Sequence, residues 1–168
     1  SLNVRAVSLI LRTGLPPLQL AQLRGSGSWK RKGSMQSVAL QGLSLVQSNG
    51  RSMPAFTAGL EWDGNKHEVR ARNLSLTAMQ SLWPALPVPV AFHEGLQNYQ
   101  PRGFINDLQL RWYGDRPNLE RFSVATRFTD FQLAAHHNHP GISRLSGTVR
   151  GDEKSGVFDI RGKATQIQ

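Results

Sequence analysis

The side chains with the strongest claim to chemistry are three imidazoles, in His136-His137-Asn138-His139. A neutral imidazole binds zinc or nickel through a ring nitrogen, so three in one tract could form a metal site. They are nearly consecutive, however, they precede Pro140, and the sequence offers no evident fourth ligand or orienting carboxylate. They therefore read as a solvated polar loop. His67 and His93 fall on expected strand and helix surfaces. The carboxylates concentrate in turns, at Asp63, Asp115, Asp152 and Glu153, where short acidic side chains satisfy backbone donors. Glu61 and Glu68 can face each other across a hairpin. No phosphate-cradling loop, dinucleotide fingerprint or nucleophile elbow occurs. No catalytic residue, metal or cofactor is expected, and the chain reads as a protein without enzymatic activity.

The chain has 168 residues and no cysteine, which removes disulfide frameworks, thiolate zinc sites, iron–sulfur clusters and cysteine nucleophiles together. The net charge is +9, and 15 of the 20 cations are Arg. These are scattered, with one tight run at Lys30-Arg31-Lys32. Such scattered charge reads first as a solvated basic surface with a charged hairpin tip, and second as an attraction to anionic partners. A nucleic-acid module would show a denser basic stripe or a recognisable motif, so phospholipid headgroups come ahead and no nucleic acid is expected. The longest apolar stretch, Trp83 to Phe92, is too short to span a bilayer and is broken by Pro84, Pro87 and Pro89. With no initiator Met and strand-like alternation from Leu2, residues 1–168 read as one β-rich segment of a longer protein.

The elements that must position any site are strands. Leu2, Val4 and Ala6 alternate with polar residues, and Leu18, Leu20 and Leu23 open a second strand. Gly25 to Ser28 and Lys30 to Gly33 read as a flexible polar connection. Val38, Leu40, Leu43 and Leu45 alternate with a slip at Gly42 that predicts a bulge. Phe56, Ala58, Leu60 and Trp62 share a face, and Asp63-Gly64-Asn65 is a hairpin signal. The return strand slips at Asn73. Thr77 is placed to cap a short helix on which Leu76, Met79, Gln80 and Trp83 lie at helical spacing before Pro84 stops it, and an extended Pro87-Val88-Pro89 leads to a second helix carrying Phe92, Leu96 and Tyr99. Phe104, Leu108, Leu110 and Trp112 share one strand face. A loop over 113–118 leads to Phe122, Val124, Thr126 and Phe128, with a slip at Asp130, and a last hairpin turns at 152–156.

Leu60-Glu61-Trp62-Asp63-Gly64-Asn65 parallels Leu110-Arg111-Trp112-Tyr113-Gly114-Asp115. Asn73-Leu74-Ser75-Leu76 likewise parallels Asp130-Phe131-Gln132-Leu133, which suggests a weak internal repeat of residues 38–95 and 96–168. Strand after strand has one apolar and one polar face, and an apolar face must be covered. A second sheet would make a closed sandwich core. A curved sheet folded partly over itself would leave a groove for an apolar ligand.

From about Leu96 to Gly162 the sequence resembles the AsmA-like family of Gram-negative envelope proteins, in particular its YhdP-type members. The residues that carry this are Pro101-Arg102-Gly103, Ile105, Asp107-Leu108, Leu110 and Trp112, then Phe122, Ala125, Phe128 and Asp130-Phe131. Pro140-Gly141-Ile142, Leu145-Ser146-Gly147, Gly151-Asp152 and Gly156 complete the pattern. The resemblance implies an inner-membrane-anchored protein that extends through the periplasm as a β-sheet trough with an apolar interior, similar to bridge-like lipid transfer proteins. It also implies a role in carrying phospholipid between inner and outer membranes, with no catalytic residues.

The expected fold is mainly β: a curved, mostly antiparallel sheet forming an open trough with short crossing helices, the alternative being a two-layer β-sandwich. The expected groove lining is Phe56, Leu60, Trp62, Phe104, Leu108, Leu110, Trp112, Phe122, Val124 and Phe128. Each is equally at home in an ordinary core. Arg102, Arg111 and Arg127 are candidates for headgroup contact if they sit at the seam. The alternative function is a closed binding or adhesion module with no lipid groove. Unpaired strand edges in such a segment predict edge-to-edge self-association.

Overall fold

Strand alternation governs almost the whole chain, and the computed structural model resolves it into a single sheet. It describes residues 2–10, 13–85, 90–114 and 121–162. The strands are β1 Leu2–Leu9, β2 Leu18–Lys32, β3 Met35–Gln47, β4 Ser52–Asp63, β5 Lys66–Ser75, β6 Arg102–Tyr113, β7 Phe122–Leu133, β8 Ile142–Asp152 and β9 Gly156–Gly162. They form one nine-stranded antiparallel sheet in sequence order, open at both edges. The two-sheet sandwich is therefore not the architecture. The expected stretch Pro87–Pro89 and the 115–118 part of the expected loop lie outside the described residues.

One connection departs from the hairpin pattern. Between β5 and β6 the chain forms α1 Leu76–Met79, a 3-10 turn Trp83–Ala85 and α2 Val90–Tyr99. Ser75, not Thr77, caps α1, its Oγ accepting from Ala78 N at 3.2 Å. Thr77 Oγ1 instead accepts from Gly103 N at 3.2 Å, which ties the crossing segment to the start of β6. This segment packs over one end of the apolar face. Leu82 joins Leu20, Leu45 and Met53 there in the buried core, with Phe56, Leu74 and Met79 packed around it. Among the described residues no helix is long and apolar enough to cross a membrane.

The Gly25–Lys32 stretch is not a flexible connection. It continues β2, pairing Ser28 with Ala39 and Lys32 with Met35. Its small side chains allow close approach, because a Cβ on Gly25 would lie 3.0 Å from Leu43 Cα. Ladder pairing with β3 thus overrides the local preference of Gly and Ser for turns. The slips read at Gly42, Asn73 and Asp130 are left-handed residues, with φ of 58°, 56° and 51°. Register shifts accompany Gly42 and Asp130. Ala6 and Arg144 add two more left-handed positions that the alternation did not mark. Such irregularities bend strands and increase twist, and here they fall towards the helix-covered end.

Candidate functional site

The pairing register collects the apolar positions into rows that cross the strands. Leu60 pairs with Val38 and Val69, Val69 with Leu110, and Leu110 with Val124. Trp29 extends this row on β2 through its pairing with Val38. Two residues along each strand towards the helix end lie Ala58, Ala71, Leu108 and Thr126, continued by Val149 and Phe158. Towards the hairpin tips lie Trp62, His67, Trp112 and Phe122. The period of two along each strand and the in-line pairing between strands put all of these on one face.

Away from the helix-covered end nothing in the described chain seals this face. Leu60 is 38% exposed, Trp29 62%, Phe158 66% and Ile160 49%. Trp62, Leu108, Leu110, Trp112, Phe122 and Val124 are half-buried, and Phe128 is buried against Phe131 with ring centroids 5.5 Å apart. Phe56 packs against the core. Phe104 falls out of the row. The irregularity between Ile105 and Asp107 shifts the alternation, so Ile105 pairs with Leu74 and Phe128 while Phe104, 44% exposed, pairs with Ser75 and Thr129.

At the hairpin end His67 does not stand alone on a surface. Its ring stacks on Trp112, with centroids 5.0 Å apart and planes 10° apart. His67 Nε2 and Trp112 Nε1 are both buried without a hydrogen-bond partner. The alternation of Trp62, the hairpin turn and Trp112 made the aromatic row readable, whereas the stacking depends on β5 lying beside β6.

The opposite face is polar. Glu68, 10% exposed at its side chain, accepts hydrogen bonds from Arg70 Nε at 2.5 Å, Gln109 Nε2 at 2.6 Å and Arg111 Nε at 3.1 Å. Burial works to raise its pKa, but the bonds from Gln109, Arg70 and Arg111 and the charge of Arg70 outweigh that and hold it at about 2. Asp107 bridges Arg72 at 3.3 Å and Arg127 at 3.9 Å. Of the headgroup candidates, Arg111 and Arg127 thus lie on the far side of the sheet from the apolar rows, engaged with carboxylates. Arg102 is exposed at the first position of β6. Two depressions of about 380 and 390 Å³ also belong to this polar face, walled by its long side chains.

The histidine tract makes a tight turn in which His136 and His139 exchange backbone hydrogen bonds. Tyr99 of α2 packs edge-on to His136, and its hydroxyl lies 2.8 Å from His139 Nδ1. Among the described residues no three His, Asp or Glu side chains gather as a metal site.

A family model described as YhdP protein matches residues 2–168. No curated protein and no solved structure matches the chain.

Proposed function

The chain belongs to the YhdP family, and from that premise we propose that it forms one section of a lipid conduit in the periplasm. Its apolar face shields phospholipid acyl chains in transit between inner and outer membranes, with the full-length protein making both membrane contacts. It carries out no chemistry and needs no cofactor. The observation that supports this reading is the bare apolar face of a single sheet, on which Leu60 is 38% exposed mid-row. An uncovered apolar face of this extent marks a binding surface. From Trp29 to Val124 the row crosses β2 to β7, about 24 Å at roughly 4.8 Å per strand. One leaflet's acyl chains are about 15 Å long, half of a bilayer core, so the row accommodates an extended chain lying across the strands. Each buried methylene contributes about 0.8 kcal/mol. Affinity can therefore come from the tail alone, and movement along the row requires no polar docking site.

The test is lipid carriage. The purified chain is expected to yield phospholipid on organic extraction and mass spectrometry. Leu110→Asp, at the centre of the row, is expected to come out depleted. Ala39→Asp, at a position on the polar face between Ser28 and Gly59, is expected to keep its load. Circular dichroism confirms that both variants retain the sheet. An empty wild-type chain, or a folded Leu110→Asp with an unchanged load, would refute the conduit.

A further inference from the structure

The polar face holds more cationic charge than its carboxylates can neutralise. The register brings Arg70 and Arg72 of β5, Arg127 of β7 and Arg150 of β8 to one side of the sheet. They line a depression of about 390 Å³ whose one acidic side chain is Asp107. Asp107 is shared by Arg72 and Arg127; it is half-buried, while both arginines remain largely open to water. Arg70 is occupied by Glu68. The side chain of Arg150, on a strand paired with β7 and β9, makes no hydrogen bond or ion pair among the described residues. Asp159, the nearest carboxylate on the β9 side, pairs with Arg161 at 3.9 Å. The lining of the depression keeps an excess of three positive charges. Like charges on adjacent strands repel, and neither core packing nor solubility requires four guanidiniums around one concavity. Their planar forks match phosphate oxygens better than ammonium groups would. Arg72 and Arg150 stand three strands apart, about 14 Å at the backbone, so the set is spread widely enough to serve more than one phosphate group.

We propose that this depression binds a ligand carrying two or more phosphate groups. Phosphate oxygens displace water from Arg72, Arg127 and Arg150 together, and Thr148, between the last two, offers a hydroxyl to the same anion. The site lies on the opposite side of the sheet from the apolar rows, so it operates independently of acyl-chain shielding. The ligand is either a soluble polyphosphate compound or the phosphorylated surface of a membrane.

Calorimetry with inorganic pyrophosphate on the purified chain distinguishes these sources when run beside flotation with phosphatidylcholine vesicles, with and without phosphatidic acid. The expected result is saturable binding to one or both phosphate probes. Binding should fall by at least about tenfold in Arg72→Gln/Arg150→Gln, as the loss of charge-assisted hydrogen bonds requires. Lys30→Gln/Lys32→Gln removes the same charge at the far hairpin tip and is expected to bind like wild type. Pyrophosphate binding alone assigns a soluble ligand, and vesicle binding alone assigns a membrane surface. No binding to either probe, or an equal loss in both double variants, overturns the proposal. Leu110→Asp is expected to keep pyrophosphate binding, so failure here and failure of the conduit can be told apart.

Discussion

Glu68 is the ionisable group on which this single-layer sheet depends most. It accepts from Gln109 and Arg111 of β6 and from Arg70 of its own strand, joining the two strands that the helical crossing separates in sequence. Its pKa stands at about 2 against an ordinary 4.5. Between those values the unfolded chain binds a proton that the folded chain does not, so stability rises with pH across that window. The contribution is complete above the ordinary value and is lost as pH falls through about 2. The interval corresponds to about 3–4 kcal/mol at roughly 1.4 kcal/mol per pH unit. Arg70 and Arg111 are 60% and 45% exposed, so water screens part of their attraction. Glu68→Gln is therefore expected to cost about 2 kcal/mol at neutral pH and almost nothing near pH 2. Urea unfolding of both proteins, followed by circular dichroism across that range, measures the difference. Asp152, whose pKa is also lowered by backbone hydrogen bonds from Lys154 and Ser155, titrates in both proteins and cancels. A gap between wild type and variant that stays constant with pH would refute the reasoning.

The core and the bare face should respond differently to truncation. Leu20→Ala, at 1% exposure in the helix-covered end, is expected to cost about 2–5 kcal/mol, and Leu60→Ala about 1 kcal/mol. Equal losses in denaturant unfolding would mean that the row around Leu60 is sealed core. At the β9 edge Val157, Phe158 and Ile160 are exposed beside backbone that no other described strand pairs. Light scattering on a sizing column should show concentration-dependent self-association that Ile160→Lys reduces.

Much of this architecture was legible in the chain because a half-buried strand leaves a period of two. The rows through Leu60, Leu110 and Val124 were readable as strand faces, the slip at Gly42 as a bulge and those at Asn73 and Asp130 as changes of phase, since a change of phase is visible without knowing the neighbouring strand. Three features were hidden for a common reason: each depends on which strand lies alongside. The Gly25–Lys32 stretch looks like a linker until β3 pairs with it. Phe104 keeps the alternation on paper, but an irregularity before Asp107 turns Ile105 into the row instead. Glu68 could be matched with Glu61 across their hairpin, as the register confirms. Its partners Gln109 and Arg111 arrive from β6, beyond a helical crossing whose geometry no local pattern encodes.

A sheet that leaves one face uncovered gives up much of the burial that holds an ordinary domain together. The main buried cluster, around Leu20, Leu45, Met53 and Leu82, lies at one end. Two other features compensate along the rest of the strands. One is the continuous backbone ladder from β1 to β9. The other is the charged network on the polar face, centred on Glu68 and Asp107, which links β5, β6 and β7 from behind the apolar rows. With β5 and β6 joined from behind, the apolar side is free to stay open. A second layer packed on Leu60, Leu110 and Val124 would add stability and close the open apolar surface. Burial at one end, polar bonding behind and an open apolar front are therefore one physical arrangement, and a loss of Glu68 should be felt on the front face as well as in the melting curve.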